Sequence, residues 1–303
     1  MVRNGKPVDS SYGCIAAKQL DPIEKKPLYH FLPGCMVYSI GGYGCNFRCA
    51  FCQNWHIAQS APVKTTPTAP ETIISEALRY KASGIAFTYN EPIISLPFVV
   101  DTATLAQKAD LRTILVTNGY IQTQPAVALL EVIDAVNLDI KSMDDAFYRN
   151  QCGAKLDPVL AFARQAKESG VHLEITNLLI PEQNDAPHQV TKLAQWIAQN
   201  LTPETVLHLS AYHPAYRSDI APTTTLSVIE AQKISQHHLA HVYCGNIPYN
   251  TRAQDTFCRK CGNILIVRKH QPVHVVGLTR AGTCRQCGSP STVYLANEVS
   301  GAN

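Results

Sequence analysis

From Met36 onward the chain alternates short β-branched apolar runs with longer stretches of helical period, and this cadence constrains the fold more than any other feature. Strands are expected at 36–40, 85–88, 113–116, 135–140, 173–180 and 206–209, and helices at 70–81, 95–109, 125–132, 157–169, 187–200 and 226–238. The punctuation agrees: Pro70 opens a helix, Pro97 falls where only a first turn tolerates it, and Gly84 and Gly170 follow helix ends. Repeated βα units demand a parallel sheet, and right-handed crossovers curl it toward a barrel. Six units are too few to close the eight-stranded form, so the expectation is an α/β fold, a partial (β/α)6 TIM-like barrel. At 303 residues the chain can bury one large core plus a small appendage. We expect an N-terminal arm at 1–34, irregular for the most part, a barrel at 35–250 and a C-terminal cysteine-bearing tail at 251–303.

In such folds the chemistry sits on the loops beyond the C-terminal strand ends. After the first strand comes Cys45-Asn46-Phe47-Arg48-Cys49-Ala50-Phe51-Cys52, three cysteines at C-x3-C-x2-C. Three thiolates around a four-iron cubane leave one iron open, and an open coordination position separates a reactive metal site from a structural one. Cys35 is no fourth ligand, because the intervening strand holds it roughly 16 Å away. The competing reading is a chance cluster, or zinc completed by a histidine such as His56. The later rim segments are Tyr89-Asn90-Glu91-Pro92, Thr117-Asn118-Gly119, Asp139 with Lys141, and Tyr212-His213-Pro214. Glu91 and Asn90 suit an ammonium, since a carboxylate accepts charge-assisted hydrogen bonds. Asp139 and Lys141, two apart, share one strand face, where they can meet hydroxyls and an anion or simply pair with each other.

The triad, with an aromatic residue directly before its third cysteine, resembles the signature of the radical S-adenosylmethionine (radical SAM) enzymes. Wider matches at Asp21-Pro22-Ile23-Glu24-Lys25-Lys26-Pro27-Leu28, His30-Phe31-Leu32-Pro33-Gly34 and Cys52-Gln53-Asn54-Trp55 are similar to one branch, the AmmeMemoRadiSam radical SAM proteins, relatives of the pyruvate formate-lyase activating enzymes. The resemblance implies the partial barrel of the radical SAM type, a 4Fe-4S cluster on Cys45, Cys49 and Cys52, and S-adenosyl-L-methionine (SAM) chelated to the open iron. It places Phe51 near the adenine, Glu91 and Asn90 on the SAM amino group, and Thr117, Asn118, Asp139, Lys141 and His213 close to SAM. Tyr89 and Asn90 replace the two glycines of the activases' Gly-Gly-Glu-Pro, and Val116 stands where their Asp-Thr-Asn-Gly has its aspartate. The implied activity is reductive cleavage of SAM to methionine and a 5′-deoxyadenosyl radical that takes hydrogen from a substrate. An external electron donor of flavodoxin or ferredoxin type is implied, with Memo-type partner proteins in this branch. The branch's usual cysteine-rich segment ahead of the arm is not in this sequence, and Cys14 does not replace it. Either it was lost or the start lies upstream.

The tail carries Cys258-Arg259-Lys260-Cys261-Gly262 and Cys284-Arg285-Gln286-Cys287-Gly288, paired C-x2-C knuckles with 22 residues between them. Four soft thiolates favour a closed structural site, zinc before iron, in a ribbon that folds the tail, covers the barrel or docks a partner. The glycine after each pair permits a tight turn. Arg259, Lys260, Arg268, Lys269 and Arg285 make the tail basic, yet no stacking aromatics accompany them, so nucleic acid is not the expected partner. Seven metal-bound thiolates would also bring the formal charge from +3 to −4. His237 and His241 stand four apart without a third ligand and read as a solvated face. Eleven cysteines without an apolar leader fit a reducing, cytoplasmic setting, and no run reaches the roughly 18 apolar residues that span a bilayer. Two further readings stay open. One is a glycyl-radical-enzyme activase; the other is a non-catalytic electron-transfer or binding module, which predicts no SAM binding.

Overall fold

The computed structural model describes residues 9–60, 66–248, 252–268 and 272–296, with the backbone of two short paired strands at Val2–Arg3 and Lys6–Pro7. Lys269 lies outside the described residues. A single eight-stranded sheet organises the chain in strictly sequential order. Strand β1 (Ala17–Pro22) runs antiparallel to β2 (Met36–Gly41). β3 (Gly84–Phe87), β4 (Arg112–Thr117), β5 (Ala135–Asp139), β6 (His172–Leu179), β7 (Val206–Ala211) and β8 (Val242–Gly245) then add in parallel. β1 and β8 are its edges and do not pair, so the barrel has an open seam.

Helices α1 (Pro70–Arg79), α2 (Leu96–Lys108), α3 (Thr123–Leu130), α4 (Leu156–Ser169), α5 (Pro187–Asn200) and α6 (Thr225–Ser235) alternate with the strands. Each turns an apolar stripe to the sheet: Ile73 and Ala77 of α1, and Val190, Leu193, Ala194 and Ile197 of α5, are buried. These stripes recur at three- and four-residue spacing, as an amphipathic helix requires. They join outward-facing strand residues such as Ile85, Leu115, Val136, Ile175 and Leu207 in the main core.

Strand period two then builds the interior in layers. Val37, Ala86, Ile114 and Ala135 form its floor, and Ile23, Leu28, Phe31 and Leu32 from the preceding segment plug it as a separate apolar cluster. Nearer the C-terminal ends of β3 to β7, Thr88, Val116, Asp139, Thr176 and Ser210 line a cleft. The fully buried Glu174 fixes the plug: it accepts from the Tyr29 and His30 backbone N–H groups at 2.9 and 2.8 Å and meets His172 and His208 at 2.8 and 2.6 Å. Two expectations change. The segment through residue 34 is no irregular arm in its second half, because Ala17–Pro22 completes the sheet and the stretch from Ile23 to Leu32 fills the barrel. The sheet also holds one parallel strand beyond the six expected, Val242–Gly245.

The tail forms a three-stranded antiparallel ribbon, β9 (Thr256–Phe257), β10 (Ile264–Val267) and β11 (His274–Val275). It packs onto the barrel through Tyr294, whose backbone exchanges hydrogen bonds with His30 and Leu32 and whose hydroxyl accepts from Arg112 at 2.8 Å. His241 belongs to this contact rather than to a solvated face: it is half-buried, 4.5 Å from the His30 ring, while His237 is exposed.

Candidate active site

The cleft at the C-terminal strand ends encloses about 350 Å³. Its walls include Cys45, Cys49, Cys52, Phe51, Asn90, Glu91, Thr117, Asn118, Asp139 and Lys141. The expected cluster ligands and SAM contacts therefore converge, His213 excepted. β7 ends at Ala211, Tyr212 is buried with its hydroxyl 2.8 Å from Ser218 Oγ, and the turn carries His213 out to solvent. Cys35 lies before β2, at the opposite end of that strand from the triad, as the strand geometry requires.

Glu91 is the focus of the cleft. Its side chain is buried and accepts from Thr117 Oγ1 at 2.7 Å, from the Asn118 N–H at 2.8 Å and from the Ile93 N–H at 3.1 Å. Among the described residues no lysine, arginine or histidine pairs with it. Burial pushes its carboxyl up to about 7 even though those donors favour the charge. A buried carboxylate without a counter-cation is a receptor for one.

Tyr89, just before it, holds φ +71°, left-handed backbone that glycine adopts without a Cβ penalty. Tyrosine stands there because its hydroxyl donates to Asp21 at 2.5 Å and its ring sits 4.6 Å from the Lys26 ammonium. Asn90 uses its amide internally, accepting from the Gly42 N–H at 2.9 Å and donating to the Gly44 carbonyl at 3.0 Å. It clamps the loop that leads into the triad. Thr117 and Asn118 act likewise: Thr117 orients Glu91, and the Asn118 amide reaches Asn46 Oδ1 at 2.8 Å and Cys45 Sγ at 3.7 Å.

On the facing wall Lys141 Nζ lies 2.9 Å from Asp139 Oδ2. Burial opposes the lysine charge, but Asp139 and the neighbouring Cys49 hold its pKa above the ordinary value. Its backbone is pinned by the Tyr148 hydroxyl at 3.0 Å and by the Asn177 and Asn184 amides at 3.1 and 2.6 Å. These three anchors carry no motif, since they are ordinary polar residues, two of them 36 and 43 positions further along the chain.

The cysteine set fits a cluster better than a single ion. Among the described residues the one group of ligand atoms gathered closely enough for one metal ion is Cys258, Cys261, Cys284 and Cys287, within 4.8 Å of one another. The triad is not gathered in that way, and its three thiols can instead serve separate irons. Burial pushes the Cys45 thiol up to about 12, with Glu91 adding to the effect, so a metal is needed to hold it as thiolate. Cys49 hydrogen-bonds Cys152, buried on the π-helical turn Tyr148–Cys152, a neighbour about a hundred residues away that spacing rules cannot find. The tail quartet brings Cys258 and Cys287 Sγ to 3.6 Å and Cys261 and Cys284 Sγ to 3.7 Å. Gly262 and Gly288, both at φ +71°, turn its knuckles as expected.

Comparison with known proteins gives the family. The Radical SAM superfamily model matches residues 39–194, which carry the triad, Glu91 and the Asp139–Lys141 pair. An uncharacterised protein of Methanocaldococcus jannaschii is 37% identical over 297 residues, 96% of this chain and 88% of its own length. Pyruvate formate-lyase-activating enzymes of Listeria monocytogenes and Escherichia coli are each 27% identical over 51% and 50% of this chain, and the matches span 66% and 65% of their lengths, just under two thirds. Among solved structures, a radical SAM methyltransferase from Sphaerobacter thermophilus aligns with TM-score 0.57 at 13% identity, covering 79% of this chain and 72% of that one. Streptococcus suis SuiB bound to its precursor peptide SuiA aligns with TM-score 0.54 at 12% identity over 74% of this chain and 51% of the other. With the family matched across the half of the chain that builds the cleft, and a relative matched along nearly all of it, the chain is a member of the radical SAM superfamily of enzymes.

Proposed function

We propose that this radical SAM enzyme holds a 4Fe-4S cluster on Cys45, Cys49 and Cys52 and binds SAM in the adjoining cleft. The observation that carries the reading is Glu91, a buried carboxylate without a cation partner among the described residues, sharing one cavity with the three thiols. Glu91 receives the SAM ammonium, and Thr117 and the Asn118 N–H keep its two oxygens aimed. Asn90 and the Asn118 side chain position the loops instead of the ligand. Asp139 offers acceptors to ribose hydroxyls, Lys141 balances a carboxylate, and Phe51 provides an apolar wall for the adenine. When bound, the reduced cluster supplies the electron that splits SAM into methionine and a 5′-deoxyadenosyl radical able to take hydrogen from a substrate. The chain's own part is to position the reactants and exclude water.

The test is SAM binding: calorimetry on anaerobically reconstituted protein, with the EPR spectrum of the reduced cluster recorded before and after addition. Micromolar binding with an altered spectrum is expected. An unchanged spectrum at saturating SAM supports the electron-transfer reading instead.

Similarity to the activating enzymes favours one narrower alternative, activation of a glycyl radical enzyme. A co-expressed protein that acquires a stable radical separates it from action on a small molecule or on Memo-type partners. An external flavodoxin- or ferredoxin-type donor completes the proposal. The tail quartet is assigned a structural zinc, since four thiolates leave no open position. The divisions proposed are an N-terminal segment 1–34 whose second half joins the barrel, the barrel 35–250 and the ribbon tail 251–303. No helix among the described residues is long and apolar enough to cross a membrane, and we place the protein in the cytoplasm on its thiol content.

A further inference from the structure

The three thiols of the triad are not equally furnished. Cys45 Sγ receives the Phe47 backbone N–H at 3.3 Å and the Asn118 side-chain amide at 3.7 Å, the second within the longer reach that sulfur allows. Among the described residues no other side-chain N–H meets a sulfur of the triad. The Cys45 S–H itself faces Asn46 Oδ1 at 3.9 Å, a contact that exists only while the cysteine is protonated. A cysteine that ligates iron is a thiolate and can only accept, so the Phe47 and Asn118 donors are what its sulfur keeps.

The surrounding hydrogen bonds fix which end of the Asn118 amide meets the sulfur. Its Oδ1 accepts from the Tyr120 N–H at 2.9 Å, while Nδ2 also donates to Asn46 Oδ1 at 2.8 Å. Asn46 is oriented in turn, because its Nδ2 donates to the Tyr120 carbonyl at 2.8 Å. Turning the Asn118 amide over would set its donor against the Tyr120 N–H and its oxygen against Asn46 Oδ1. Asn118 is only 6% exposed, so water has little room to take its place. Its backbone N–H meanwhile donates to Glu91 Oε2 at 2.8 Å. One residue, 73 positions from Cys45 in the chain, thus touches both the uncompensated carboxylate and a sulfur of the triad.

Hydrogen bonds to the sulfurs are among the factors that set the reduction potential of an iron-sulfur cluster, and partners behind the ligands tune a metal site. An N–H aimed at a ligand sulfur stabilises the extra negative charge of the reduced state. We propose that Asn118 is a positioning residue for electron entry: its side-chain N–H donates to the Cys45 thiolate and makes the cluster easier to reduce, while its backbone N–H keeps Glu91 aimed. This rests on the cluster reading above. The step is the gain of one electron by the cluster from the external donor, which is oxidised by one electron, and no bond is made or broken at Asn118.

In the experiment the full chain and its variants are reconstituted anaerobically, iron and sulfide are counted, and the potential of the SAM-free cluster is found by redox titration followed by EPR. Asn118→Ala removes the donor. Asn118→Asp keeps the size and the acceptor for Tyr120 but sets an oxygen against the sulfur. The potential is expected to fall in the order native, Ala, Asp, the Asp variant being harder to reduce by about tenfold or more, or about 59 mV for one electron. The Ala variant adds no charge and decides the matter where the Asp variant holds no iron. A residue that only braced the loops would change iron content without moving the potential of the loaded protein. A potential equal to or above the native value in the loaded variants, or loss of iron from both, overturns the role given to Asn118 alone. A native chain that takes up iron but shows no 4Fe-4S signal overturns the cluster reading instead.

Discussion

Glu91, beyond the C-terminal end of β3, and Asp21, opposite Val37 on the edge strand β1, are both buried carboxylates, and they are handled in opposite ways. Asp21 has its cation built in: burial works against its charge, but hydrogen bonds from Lys26 and Tyr89 outweigh that and hold it at about 2. A carboxyl depressed in the folded state contributes stability above its unfolded value of 3.8, and loses it as pH falls toward 2. Asp21→Asn is therefore expected to cost about 2 kcal/mol at neutral pH and little at pH 2, measured by urea unfolding across that range. An equal cost at both ends contradicts the assignment. Glu91 has no such cation, and Glu91→Gln is expected to weaken SAM binding by about tenfold or more in calorimetry; unchanged affinity removes it from the ammonium site. Tyr-Asn-Glu-Pro and the C-x3-C-x2-C spacing are legible because their chemistry lies in contiguous residues. Glu174, Cys152 and Arg268 are not, because each acquires its meaning only from a partner brought in by the fold. His213 shows the reverse: its place after a strand points to the cleft, and one turn directs it outward.

At the level of elements, the βα cadence is readable because each parallel strand is buried on both faces and writes a continuous apolar run. The two seam strands escape for the same reason. Ala17–Pro22 is an edge strand with exposed Lys18 and Gln19, and Val242–Gly245 is four residues long with no helix after it to complete a unit. The plug between them has the composition of irregular chain, although Ile23 and Leu28 are completely buried. Leu28→Ala is expected to lower stability by about 2–5 kcal/mol in denaturant unfolding, the range for a fully buried leucine. A cost below about 1 kcal/mol would mean the plug is not part of the cooperative core. Where β2 enters the cysteine loop, a Cβ on Gly41 would stand 2.7 Å from the Thr88 carbonyl and 2.9 Å from Tyr89 Cβ. Gly41→Ala is accordingly expected to shift both rim loops and reduce iron content after reconstitution, measured as iron per chain; unaltered loading contradicts that coupling.

Across the whole molecule the two cysteine sets serve separate tasks. The triad is spread along a cleft wall, while the tail quartet closes on one point and holds the ribbon over the seam. Cys284→Ala should therefore lose one metal ion per chain by elemental analysis while keeping the iron of the triad, and loss of both would argue for a shared site. The central claim is tested most directly by the product of SAM cleavage. The protein is reconstituted anaerobically with iron and sulfide, reduced with dithionite and given SAM, and 5′-deoxyadenosine is quantified beside a Cys49→Ala control. Formation by the native chain and none by the control is the expected result. No 5′-deoxyadenosine from a fully loaded, SAM-saturated protein would contradict the account.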